Sequence, residues 1–253
     1  MAKAGQPPLE ADRMSGYLVF LFLLLSSATL FEGFDSGMLS FSAPETRATL
    51  DISVEQWGYV NGFTRLGMMG SFLFLLTADR LGRRRVMLIT IVGFTAANGL
   101  TAFVTDKYQF ALLQFVARLF LTAEYSLAVI MIGEEYPARL RGAAIAIITS
   151  LATVGVMMIA KVQPYVLLSE GSPGNWLHDF SSGIVAATDR IAGLEAEGAI
   201  WRALYILGLF PLVVVLGLRL GMRETRRFEA VQSEAEGGGV SILRAGIRSL
   251  RVV

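Results

Sequence analysis

Six ionisable residues stand inside otherwise apolar sequence: Glu32, Asp35, Arg65, Arg118, Glu124 and Lys161. Glu32 and Asp35 are three apart, so on a helix they share a face. Two carboxylates this close in a poorly hydrated place resist double ionisation, and one of them can hold a proton that it later gives up. Arg65, Arg118 and Lys161 supply the opposite charge, and Glu124 a further acid. At the centre of a bilayer each such side chain costs at least ~2.5–3.5 kcal/mol on insertion scales, so its presence there points to function. Counted from the outer helix ends at ~1.5 Å per residue, Asp35 lies about 12 Å deep, Glu32 about 16 Å, Arg65 about 13 Å, Arg118 about 15 Å and Lys161 about 10 Å. Glu124 lies about 24 Å down, nearer the cytoplasm. The shared layer holds two acids and three bases. Complete pairing leaves one positive charge over, and an anion entering from water is the partner that costs least. The chemistry expected is reversible protonation of Asp35 or Glu32 beside a site for an organic anion, bound by Arg118, Arg65 and Lys161 with Glu124 below. A purely structural arrangement, with Lys161 snorkelling outward and the other four paired off, stays open.

The elements that position these residues follow from hydropathy. The chain has 253 residues, 54% of them apolar and only 17% charged, with mean hydropathy +0.56 and net charge +1. Soluble domains run near ~45–50% apolar and ~25% charged, so the solvent of this chain is lipid. Without cysteine it is neither a disulfide scaffold nor a cysteine-ligated metal protein, and its near-neutral charge gives no general attraction to nucleic acid. Six apolar stretches, at about 16–43, 57–76, 86–104, 108–132, 143–168 and 203–220, are each near the ~20 residues needed to cross a bilayer. The fold class expected is an all-α membrane protein. Its parts are an N-terminal segment 1–15, a six-helix bundle 16–222 and a linker 223–253.

Loop charges orient the bundle. Lys3, Arg13, Arg80, Arg83, Arg84, Arg85, Arg139, Arg141, Arg223, Arg226, Arg227, Arg244, Arg248 and Arg251 fall at the termini and in alternate loops, against Arg47, Lys107, Arg190 and Arg202 in the others. The bias places the first set, with both termini, in the cytoplasm, as in a multi-pass protein of an inner or plasma membrane. The long outer connection 169–202 starts with turn residues and then carries a spacing, from Ile184 to Glu197, that suits a short surface helix. His178 lies there without a serine–acid or metal-ligand set around it, so it is expected to be solvated. The tail combines a glycine linker, Gly237 to Gly239, with a basic amphipathic segment from Ile242 to Arg251.

Between the second and third stretches stands Ala78-Asp79-Arg80-Leu81-Gly82-Arg83-Arg84-Arg85. This order resembles the signature loop of the major facilitator superfamily, although Leu75 stands where that pattern has its first glycine. Gly133 to Gly142, with Glu134, Pro137 and Arg141, resembles the family's loop between helices four and five, and Arg223 to Phe228 is similar to the segment after helix six of sugar porters. The resemblance implies two inverted three-helix repeats, the N-terminal half of a major facilitator fold. It also implies gating salt bridges among Asp79, Arg80, Arg83, Glu134, Arg141, Glu224 and Arg227. Phe31 to Gly37 resembles helix one of aromatic-acid:proton symporters, and Ala123-Glu124-Tyr125 resembles helix four of organic-ion relatives, whose arginine ten residues earlier is Gln114 here. Gly62, Gly67 and Gly70 suit close helix approach.

The function expected is a secondary transporter, a proton-coupled symporter of an organic anion. A sugar or other neutral-solute symporter and a non-transporting receptor are the alternatives. The chain has no nucleotide-binding glycine loop, metal cluster or nucleophile–base set, so neither an enzyme nor a cofactor is expected. Because the superfamily pairs two six-helix halves, the chain is expected to be a fragment. Its partners are then a proton, a small solute, the bilayer and a C-terminal six-helix half, or a second copy of itself.

Overall fold

The structure is a computed structural model that describes residues 16–167, 176–192 and 199–221. The first apolar stretch forms α1 (Gly16–Phe41). Its polar hydroxyls are spent on the helix itself: Ser27 Oγ donates to the Leu24 carbonyl at 2.6 Å and Thr29 Oγ1 to that of Ser26 at 3.0 Å. The stretch divides at Ser42, because Pro44 can sit only in the first turn of a new helix, α2 (Ala43–Thr49). Ser53 and Gln56 close a capping box at the start of α3 (Val54–Gly70). Ser71 interrupts the second stretch, but its backbone stays helical (φ −59°, ψ −26°), so α3 and α4 (Phe72–Leu81) act as one span. At Gly82 φ is 94°, a value that a side chain would strain, and there the chain turns from α4 into α5 (Arg83–Thr101). Asp106 caps α6 (Lys107–Glu135), accepting from the backbone of Tyr108 and Gln109 at 2.7 and 3.0 Å. Pro137 leads into α7 (Ala138–Leu167).

The surface helix between the fifth and sixth stretches, α8 (Trp176–Ala192), starts eight residues before the expected Ile184. The segment earns its helix from a buried stripe at Ser181, Val185 and Thr188, which begins upstream of the spacing considered in the sequence. The sixth stretch is α9 (Trp201–Arg219). Taken singly, α1, α6, α7 and α9 are long and apolar enough to cross a membrane. The second span needs α3 and α4 together, and α5 starts on three arginines.

Packing follows an inverted repeat. The first span packs on the fifth (α1 on α7), and the fourth packs on the second (α6 on α3). The third and sixth, α5 and α9, close the bundle against each other. Glycines set both diagonal crossings. A Cβ on Gly33 would strike the Ala152 backbone, and one on Gly155 would strike the Leu30 carbonyl. At the other crossing a Cβ on Gly67 would lie 2.5 Å from the Phe115 carbonyl oxygen, and one on Gly70 would lie 2.8 Å from Leu119. Gly62 does not serve as expected, because a Cβ there meets nothing within 4 Å.

Two apolar cores fill the bundle. One, toward the Arg83 end, gathers Leu21, Met87, Phe94, Met131 and Ile148. The other, toward the Trp201 end, gathers Met38, Ile159 and an aromatic chain in which Phe110 lies 5.8 Å from Trp57 and 6.0 Å from Trp201, itself 5.7 Å from Tyr205. Arg202 is buried there and donates to the Ala102 and Val104 carbonyls, both at 2.8 Å, which closes the open end of α5.

Candidate functional site

The junction of the two cores is where α1 and α6 bring charge together. Asp35 and Arg118 are both buried, and Arg118 Nη2 lies 3.8 Å from Asp35 Oδ2. That separation is an ion pair without a hydrogen bond. The hydrogen bond goes instead to Ser36, whose Oγ accepts from Arg118 Nη1 at 2.8 Å. Glu32, half-buried and one turn earlier on α1, is within charge–charge range of both Arg118 and Asp35. Asp35 Oδ1 has no hydrogen-bond partner among the described residues. Tyr205, from α9, feels the charge of Asp35, so three elements converge on one carboxylate. Chemically, the cluster offers a guanidinium held loosely by an acid, with a second acid in reserve.

The other expected site residues are placed elsewhere. Arg65 on α3 and Lys161 on α7 are exposed on helix faces and form no ion pair with the cluster. Glu124, expected to bind substrate, is placed apart from the Asp35–Arg118 cluster. It is 2% exposed, pairs with Arg219 of α9 and accepts a bond from Thr90 of α5, because the turn of α6 between Arg118 and Glu124 aims the acid into the apolar core at the Arg83 end. Gln114 turns toward α5, donating to Thr101 Oγ1 at 3.2 Å.

At the Arg83 end, Arg83 Nη2 meets Glu134 Oε1 at 2.8 Å, tying the start of α5 to the end of α6. Arg141 Nη2 donates to the Tyr136 carbonyl at 3.2 Å. The Tyr136 hydroxyl donates to the Leu18 carbonyl at 2.6 Å, and Arg84 Nη2 to that of Leu220 at 2.9 Å. Asp79 and Arg80 belong to α4, but their side chains lie outside the described ones; Glu224, Arg227 and the tail lie outside the described residues.

Sequence reasoning missed Arg219, Arg202, Ser36 and Tyr205. Arg219 stood at the edge of the sixth stretch, where an arginine reads as a snorkelling end. The missed signal was an unmatched Glu124 at the same depth. Arg202 was counted among loop charges, and only the fold shows that it enters the bundle.

The sequence profile of the Major Facilitator Superfamily matches residues 25–252. The chain belongs to this superfamily. Among its curated relatives, a gallate transporter of Pseudomonas putida is 33% identical over 134 residues, covering 51% of this chain and 28% of the relative. A sialic acid transporter of Escherichia coli is 23% identical over 252 residues, covering 99% of this chain and 53% of the relative. The chain thus spans about half or less of the length of these relatives. Among solved structures, a bacterial homologue of the human lysosomal transporter Spinster, in an inward-facing conformation, superposes with a TM-score of 0.71 at 19% identity, over 85% of this chain and 45% of the other. That likeness establishes the fold, six membrane helices matching one half of a major facilitator bundle. The superfamily's basic loop therefore falls at the α4–α5 turn, and its relatives are named as transporters, not enzymes.

Proposed function

We propose that the chain forms the first half of a proton-coupled symporter for small organic acids that works by alternating access. The observation that carries the proposal is the buried Asp35–Arg118 pair between α1 and α6, the leading helices of the two inverted repeats. While Asp35 is ionised, Arg118 is neutralised. Protonating Asp35 removes that negative charge, and the guanidinium then attracts a carboxylate entering the site. Proton and acid anion bind together and cancel in charge, which lowers the cost of carrying them past the membrane centre. Glu32, one turn away, takes the proton as Asp35 releases it. Arg65 and Lys161 stand on exposed faces at membrane depth; because a charge is costly against lipid, these faces are assigned to the pathway, where they add positive potential for the anion.

Arg83–Glu134, with Asp79, Arg80, Arg141, Glu224 and Arg227, is assigned to the cytoplasmic gate, and both termini to the cytoplasm. The exposed apolar faces of α3 and α7, which include Phe63, Leu66, Met157 and Met158, are assigned to contact with a second six-helix half, supplied by a longer chain or by another copy. Gallate and sialic acid, the named cargoes of the two relatives, are both carboxylic acids, which favours an acid over a neutral sugar.

Uptake into proteoliposomes tests the proposal. An inward proton gradient should drive accumulation of an aromatic acid. Asp35→Asn should abolish accumulation while sparing counterflow exchange, and Arg118→Gln should lose affinity for the acid. Accumulation of a neutral sugar in place of the acid, or uphill uptake by Asp35→Asn, would refute it, and saturable binding without flux would identify a receptor instead.

A further inference from the structure

At the end of the bundle where α1 hands over to α2 and α6 begins, an open cavity of about 540 Å³ is bordered by Arg47, Asp51, Ser53, Gln56 and Lys107. Small-molecule sites commonly measure ~300–1,000 Å³. Its two cations are anchored by neutral acceptors, and neither forms an ion pair among the described residues. Arg47 Nε donates to the Ile52 carbonyl at 3.2 Å, and the Ile52 N–H returns a bond to the Arg47 carbonyl at 2.9 Å. Asp51, in the left-handed region with φ 49°, makes that doubling-back possible. Lys107 Nζ donates to Gln56 Oε1 at 3.2 Å, and Gln56 is itself fixed by the capping box with Ser53.

This anchoring decides what the cations can still do. A guanidinium held through Nε keeps its two terminal nitrogens, the paired donors that suit the two oxygens of a carboxylate. The ammonium keeps two of its three donors. The border itself carries two cations and a single acid, Asp51.

We propose that this cavity is a second binding site, for a small organic carboxylate. Arg47 and Lys107 hold the carboxylate, and Asp51 with Ser53 accepts hydroxyl donors from the rest of the molecule. The site lies beyond Asp35 along the α1–α2 continuation, separate from the Asp35–Arg118 cluster.

The test uses the chain in phosphatidylcholine nanodiscs with 4-fluorobenzoate as probe, read by fluorine NMR titration and by transfer from the probe's ring protons to a labelled Ala48 methyl, another group bordering the cavity. The expected result is a probe–Ala48 contact in the unaltered chain. Saturable binding should persist in Arg118→Gln, and adding Arg47→Gln and Lys107→Gln to that variant should weaken it at least ~10-fold, two charge-assisted contacts having been removed. Absence of the Ala48 contact, which needs no variant, overturns the proposal. So does unchanged affinity after removal of both cations. A parallel arm with phosphatidylglycerol nanodiscs separates a headgroup from a free acid: loss of the Ala48 contact there identifies a lipid anion as the occupant and also overturns it. The Arg118 assignment fails independently, if Arg118→Gln leaves every class of probe binding unchanged.

Discussion

Glu124→Ala removes the acid from a pair whose side chains are 2% and 0% exposed, leaving the Arg219 guanidinium charged and without its carboxylate inside an apolar core. Breaking one partner of a buried pair costs about 3–5 kcal/mol. The Thr90 hydroxyl also loses its carboxylate acceptor, but it keeps a second acceptor in the Met87 carbonyl at 3.1 Å, so this loss adds at most about 1 kcal/mol. The expected total is about 3–6 kcal/mol. The pair itself is a different quantity, since both ions paid desolvation to enter the core. Replacing both, as Glu124→Met with Arg219→Leu, should recover all but about 1–2 kcal/mol. The assay is reversible unfolding of the purified chain in mixed micelles by dodecyl sulfate titration, followed by tryptophan fluorescence. A single variant that costs less than about 1 kcal/mol refutes the reasoning, because the guanidinium would then have another partner or reach water. A double variant as unstable as the two single losses added together refutes it too.

Gly155→Ala should cost about 1–3 kcal/mol or more, because the new methyl meets the Leu30 carbonyl and the Phe34 backbone, which cannot swing away; Gly62→Ala, in open space on the same kind of helix, should instead gain up to about 1 kcal/mol in the same titration. Arg202→Gln should lose most of the two bonds that cap α5, about 1.5–3 kcal/mol each, and hydrogen exchange should quicken at Thr101 to Val104 while the Arg83 end keeps its protection. Tyr136→Phe should cost about 1 kcal/mol near neutral pH, through the bond to Leu18. Burial raises the Tyr136 phenol above its ordinary range, so the folded form resists deprotonation more than the unfolded form does. The contribution is therefore complete below pH ~10 and is lost as pH rises through the raised value, and the gap between the two proteins in an alkaline unfolding series should close there.

Membrane placement was legible in the sequence because the bilayer makes one demand on every span, length with few charges, which six stretches of this chain meet. Asp35, Glu32 and Arg118 were legible for the complementary reason that a charge breaks that rule visibly. Their joining was less so: equal depth suggested it, but only the packing of α1 on α6 brings Arg118 to Asp35 and leaves Arg65 and Lys161 outside. Glu124 shows what depth alone leaves out. Depth along an axis says nothing of azimuth: the six residues from Arg118 to Glu124 rotate by about 600°, so the acid faces α9 and α5 while the arginine faces α1. The same gap hid Ser36 and Tyr205, uncharged residues whose value lies in what they stand beside. The start of α8 was misjudged because its stripe rests on serine and threonine, which a hydropathy pattern passes over.

The crossing of Gly33 and Gly155 has a consequence for biosynthesis. Helices that are neighbours in space here are not neighbours in time: α1 is made well before the helix that receives its glycine face, α7, with three further spans between them. Until then α1 must wait in lipid without its glycine partner, and until α6 is made Glu32 and Asp35 also lack Arg118. During that interval both carboxyls are least costly in their protonated form, and the uncovered glycine strip invites pairing with any passing helix. An early span of this kind is a natural client for a membrane insertase that shelters it until its fifth-span partner arrives.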